Sequence, residues 1–225
     1  MQAQTTHHAV RIKADSAVLN ADLRVPDRPA GIVLFAHGSG SSRFSSRNRA
    51  VAGVLEEGGF ATLLLDLLTR QEEGIDQYTR QYRFDIDLLG RRVVSATDWV
   101  ASRDDLRDLP LAYFGASTGA AAALIAAAER HEVTRSVISR GGRPDLAGAA
   151  LPRVEAPTLL IVGGADGPVI EMNREAMAQM RAPVELEIVP GATHLFEEPG
   201  ALEEVSRLAR DWCRRHLARG GRGIS

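Results

Sequence analysis

The chain has 225 residues, 44% hydrophobic and 25% charged, ordinary globular usage that excludes a disordered polymer or a small disulfide-dependent scaffold. A formal net charge of -2 gives no global field for nucleic acid or an anionic membrane surface, so a small molecule is the expected partner. The lone cysteine, Cys213, excludes an internal disulfide and fits a cytoplasmic protein.

Residues 1–8 read as a tail without the basic start and apolar run of a secretory signal, and no stretch approaches the roughly 20 apolar residues of a membrane span. Residues 10–14 and 17–25, split by Asp15 and Ser16, predict an antiparallel hairpin. Short apolar runs come next at 31–38, 61–68, 111–115, 135–139 and 158–164, with a last strand at 184–190. Runs of this kind suit strands buried on both faces.

Helical spacing occupies 47–57, 84–103, 118–130, 170–180 and 202–217. Strand alternating with helix predicts an α/β fold: one domain over 1–225, with an eight-stranded, mostly parallel sheet covered by helices on both faces. The stretch 69–83, "TRQEEGIDQYTRQYR", is polar enough for a surface excursion with a helix near 75–83. The end, 219–225, reads as a second tail.

Chemistry concentrates in "YFGASTGAAAAL" at 113–124, where Gly115, Ala116, Ser117, Thr118 and Gly119 satisfy G-x-S-x-G between a strand and a helix. A serine there is also a natural helix cap, so its role depends on the partners that the rest of the chain supplies. A nucleophilic serine needs a base and a group that orients the base. Asp166 lies just past the strand at 158–164, and His194 just past the strand at 184–190. The order Ser117, Asp166, His194 is that of α/β-hydrolases. Asp166 beside Gly167 could instead form a local turn, with Glu171 as the spare acid. His7, His8, His131 and His216 follow no central strand, and His37 precedes Ser117, where it is expected to shape the adjoining loop.

That loop, "AHGSGSSRF" at 36–44, supplies the second signal. A tetrahedral intermediate needs two N–H donors, one after the nucleophile and one after an earlier strand. Thr118 and Ser39 are the expected donors, with Gly40 as alternative. A phosphate-binding reading of the loop lacks support, because Arg43 stands where G-x-G-x-x-G needs glycine and no G-K-[ST] is present. Arg43, Arg47, Arg140 and Arg143 sit on loops. Arg140 directly follows a strand, where ligands bind in such sheets, and so is a candidate for an anionic substrate group or for a structural ion pair. Gly40 and Arg43 are the other candidate substrate contacts. No metal and no cofactor is expected.

Together "HGSGSS", "GASTGA", "GGADGPV" and "PGATHLF" resemble the α/β-hydrolase superfamily, specifically its compact dienelactone hydrolase-like group. With "SRGGRPDLA" the chain also resembles hydrolase domains that occur alone or fused to phosphoribosyltransferases, and the likeness covers roughly 31–217. The resemblance implies Ser117 as nucleophile, Asp166 as acid, His194 as base, and Ser39 with Thr118 as oxyanion donors. Dienelactone hydrolases proper use cysteine, so serine here favours ordinary ester chemistry. Only 140–156 lies between the strands at 135–139 and 158–164, too little for a large cap domain, which disfavours a true lipase. The expected activity is hydrolysis of small carboxylic esters. Alternatives are a thioesterase, lactonase or acyltransferase on the same residues, or a non-catalytic scaffold for an anionic ligand. A homodimer stays open, as does an associated phosphoribosyltransferase from the resemblance.

Overall fold

A computed structural model describes residues 5–217. The strands are β1 (Thr5–Ala14), β2 (Ala17–Pro26), β3 (Ile32–Ala36), β4 (Ala61–Leu65), β5 (Leu111–Ala116), β6 (Thr134–Arg140), β7 (Thr158–Gly163) and β8 (Val184–Val189). They form one sheet in the order β1-β2-β4-β3-β5-β6-β7-β8. β2 runs antiparallel to both β1 and β4, and the pairs from β4 to β8 are parallel. The expected α/β-hydrolase sheet is therefore present. One boundary is corrected: residues 5–8, read as tail, pair with 23–26 of β2 because their backbone groups find partners along the hairpin. The expected tail at 219–225 lies outside the described residues, as do 1–4.

The helices are α1 (Ser46–Glu57), α2 (Arg70–Thr79), α3 (Ile86–Ala101), α4 (Thr118–Glu129), α5 (Gly167–Met177) and α6 (Ala201–Leu217). Strand alternation sorts the core into two layers. Val33, Phe35, Phe114 and Ile138 point toward α1 and α6, where Leu55, Val205 and Trp212 meet them. Ile32, Leu34, Tyr113 and Val137 point to the other side, against α3 and α4. Among the described residues, no helix is long and apolar enough to cross a membrane.

α4 is buried from Thr118 to Ala128. Its alanines let it lie close to the sheet and to α3, where a Cβ added to Gly90 would come 2.7 Å from Ile125. Cys213 is buried in α6, and desolvation pushes its thiol up to about 12, so it stays an apolar packing group. Between β6 and β7 there is only a 3-10 segment, Pro144–Arg153. That agrees with the expectation of no large cap.

The excursion holds a helix, but it starts earlier than expected, at Arg70 rather than near 75. Thr69 and Glu72 form a reciprocal capping box that fixes the start. Arg80, at φ 57, ends it. Two ion pairs then dock α2: Glu72 with Arg92 of α3, and Asp76 with Arg83. Arg92 also donates to the Leu67 carbonyl, tying the helix to the end of β4.

Candidate active site

Three loops meet at the carboxyl ends of β5, β7 and β8. The first is the turn from β5 into α4. Ser117 occupies the cap position of α4 yet makes no capping hydrogen bond, and its backbone stands at φ 50, ψ -122. That region strongly favours glycine, and a serine held there is strained by about 1–3 kcal/mol. The surroundings enforce the turn. A Cβ on Gly115 would collide with the backbone of Ala120, and one on Gly119 would lie less than 3.0 Å from the Ala36 and His37 carbonyl oxygens. A plain cap needs neither the strain nor the crowding.

The second loop carries Asp166 at the start of α5. Its side chain caps nothing and instead meets His194 Nδ1 through Oδ2 at 2.7 Å. The turn reading for Asp166 is thereby replaced, and the spare acid Glu171 is engaged with Arg174 at 2.6 Å. The third loop, after β8, carries His194. Ala165 N–H donates to the Ala192 carbonyl at 2.9 Å, which holds these two loops together. A hydrogen bond from Nδ1–H to the carboxylate leaves Nε2 as the imidazole's basic nitrogen. Ser117 and His194 line the same cavity, of about 420 Å³. No hydrogen bond joins the Ser117 hydroxyl to the imidazole among the described residues, a common condition for such a pair without substrate.

The loop after β3 lies against the Ser117 turn: a Cβ on Gly38 would stand 3.0 Å from Ser117 Cβ. Ser39 N–H donates to Thr118 Oγ1 at 2.9 Å, so the two expected oxyanion donors are neighbours, with the Ser39 donor held by the threonine hydroxyl. Thr118 is the first residue of α4, where an N–H has no acceptor within its own helix. His37 acts as the loop's internal brace. Leu67 N–H donates to its Nε2 at 2.9 Å, so Nδ1 carries the proton and donates to the Gly38 carbonyl at 2.8 Å. Burial lowers its pKa below the usual histidine value.

The arginines divide. Arg43 does not reach the cavity, contrary to expectation. It pairs with Asp66, lies 3.4 Å from Asp22, and stacks over Phe44, because two buried carboxylates, on β2 and just past β4, require a cation. Arg143 is bidentate to Asp145 at 2.7 and 2.8 Å. Arg140 does line the cavity and has no carboxylate partner among the described residues, while Arg47 sits on the same wall. The residue missed in the sequence is Asn48, buried in the first turn of α1 and accepting from Arg140 Nη2 at 3.3 Å. Its position three residues after Ser45, the helix cap, was the available signal.

A second lobe of about 560 Å³ shares Gly38, Ser39, Gly40 and Ser41 with the first. Although larger, it is lined by neither Ser117 nor His194, which both belong to the smaller lobe. Phe44, Leu68 and Leu89 give it apolar wall, and Glu73, Asp76 and Gln77 of α2 give it a polar one.

A model of the dienelactone hydrolase family matches residues 19–216. Curated relatives from two strains of Mycobacterium tuberculosis, provisionally named phosphoribosyl transferases, are 56% identical over 208 residues. That alignment takes in 92% of this chain and 46% of theirs, so the chain spans about half the length of the curated relatives it matches. A crystal structure of a dienelactone hydrolase from Anabaena variabilis is 56% identical with a TM-score of 0.93, covering 95% of this chain and 99% of that one. Est1E from Butyrivibrio proteoclasticus, 19% identical with a TM-score of 0.76 over 94% of this chain and 99% of its own, shares the fold. The fold, the loops that converge at its strand ends and a family match over nearly the whole sheet agree, and the chain belongs to the dienelactone hydrolase family.

Proposed function

We propose that the protein is a serine hydrolase of small carboxylic esters. The observation that carries this is the 2.7 Å His194–Asp166 pair sharing a cavity with a serine whose backbone is strained and whose hydroxyl caps nothing. In the first step the Ser117 Oγ–C bond forms as His194 Nε2 takes the hydroxyl proton. Asp166 holds the imidazole tautomer and stabilises the imidazolium. The Ser39 and Thr118 N–H groups, at the positive end of α4, receive the oxyanion. The ester C–O bond then breaks and the leaving alkoxide takes the proton from His194. Water, deprotonated by His194, attacks the acyl-enzyme, and the proton returns to Ser117 Oγ as the acid departs. Ester and water yield acid and alcohol.

Binding to Ser39 N–H requires the incoming oxyanion to displace the Thr118 hydroxyl. The open mouth and two-lobed cavity suit short esters better than long acyl chains. Thioester or lactone cleavage and acyl transfer would use the same groups. With its lone, buried cysteine, the protein is assigned to the cytoplasm.

Labelling by a fluorophosphonate probe tests the nucleophile. Wild type should label and Ser117→Ala should not. A folded wild type that neither labels nor hydrolyses p-nitrophenyl acetate would defeat the proposal. A second reading places a phosphoribosyltransferase beside this hydrolase, supported by the names and greater length of the curated relatives. Crosslinking in the native host should then capture a phosphoribosyltransferase, and recovery of the hydrolase alone would refute it.

A further inference from the structure

The wall of the Ser117 cavity carries charge that the ester reaction does not use. Arg140 is only 7% exposed, and its Nε and Nη1 find no partner among the described residues, while Nη2 meets only the Asn48 amide oxygen. A buried guanidinium is ordinarily matched to a carboxylate. Arg47 stands on the same wall and turns its other side to the exposed Glu197 at 3.6 Å. Both arginines lie by the N-terminus of α1, whose dipole also favours an anion. Among the described residues, no aspartate or glutamate lines this lobe.

We propose that the substrate ester bears a phosphate group, seated on Arg140, Arg47 and the first turn of α1 while its carbonyl lies at Ser117. For the reaction this rests on the proposed function; for binding it does not. Two guanidiniums and a helix N-terminus exceed the charge of one carboxylate, whereas a phosphate monoester carries about -1.5 to -2 and three acceptor oxygens. Desolvation, and then repulsion from Arg47, lower the Arg140 pKa to about 10, so it remains a cation at neutral pH and gains most from a bound dianion.

Titration calorimetry with inorganic phosphate, glycerol 3-phosphate and acetate tests the site. The expected result is one saturable site that takes glycerol 3-phosphate at least as tightly as inorganic phosphate, and both more tightly than acetate. Arg140→Gln should weaken both phosphates by about tenfold or more, and Arg47→Gln should weaken them less. Bound glycerol 3-phosphate should also slow fluorophosphonate labelling of Ser117. Absence of saturable binding, equal binding by both variants, or tighter binding of acetate would overturn the proposal. So would binding confined to inorganic phosphate, which would mark a free-anion site. Should Arg140→Gln fail to fold by circular dichroism, Arg47→Gln and the labelling protection decide. If wild type binds these phosphates but never labels, the anion site stands and the esterase reading falls.

Discussion

Replacing Ser117 by glycine should stabilise the protein while destroying its activity. At an ordinary helix cap, serine to glycine costs a few tenths of a kcal/mol, because a capping hydrogen bond is lost. Ser117 has no such bond, and its φ of 50 and ψ of -122 lie where a Cβ is penalised. Relief of that strain is worth about 1–3 kcal/mol, and the greater freedom of glycine in the unfolded chain subtracts about 0.5–1 kcal/mol. The net expectation is a gain of about 0–2.5 kcal/mol. For a chain of this size each kcal/mol raises Tm by roughly 2–4 °C. Ser117→Ala is the control: it removes the same hydroxyl, keeps the Cβ and should stay close to wild type. Urea unfolding of the three proteins, followed by the fluorescence of Trp99 and the buried Trp212, reads the difference. A Ser117→Gly protein less stable than wild type would refute the reasoning, and with it the claim that the turn is held under strain for the sake of the hydroxyl.

Other consequences are equally direct. Asp166→Asn should lower kcat by about 10³–10⁴, since the imidazole loses the partner that sets its tautomer, while KM for p-nitrophenyl acetate changes little; near wild-type kcat would assign the orienting role elsewhere. Gly119→Ala drives a Cβ into the Ala36 and His37 carbonyls, and should cost about 1–3 kcal/mol of stability and on the order of a hundredfold in kcat, measured by urea unfolding and steady-state kinetics. Burial depresses the His37 pKa below 6.5, so the unfolded chain takes up that proton first as pH falls. Its stabilising contribution is complete above about pH 6.5 and is lost below it, until the folded imidazole protonates too. His37→Ala should flatten that part of the stability–pH curve at a lower overall stability, and an unchanged acid slope would contradict the assignment.

The central strands, β3 to β7, were readable because they are apolar on both faces and bounded by polar or glycine-rich punctuation. Positions 33 and 35 were seen as apolar without any sign of which layer they serve, and only packing assigns them to α1 and α6. The convergence of Ser117, Asp166 and His194 was legible for a topological reason: each lies just past a strand of the parallel set, and parallel strands bring such ends together. Arg43 was misread because its partners come from two other strands, Asp22 from the middle of β2 and Asp66 from just past β4. No local pattern marks a cation whose need is set by distant carboxylates. The start of α2 was missed although the capping box Thr69 to Glu72 was present in the sequence. There the polar composition masked a local signal. Asn48 acquires its importance from Arg140, 92 positions away, which is the kind of contact that periodicity cannot disclose.

α2 is joined to the body by charge, through Glu72 to Arg92, while Asp76 to Arg83 closes the segment on itself, whereas α4 below Ser117 is buried along nearly its whole length. The segment 69–83 can thus be treated as an exchangeable cassette. Its wall positions Glu73 and Gln77 can be rewritten in a library that keeps Thr69, Glu72, Asp76, Arg83 and Arg92 as fixed anchors, and selectivity can be evolved there while the turn at Ser117 keeps its mounting.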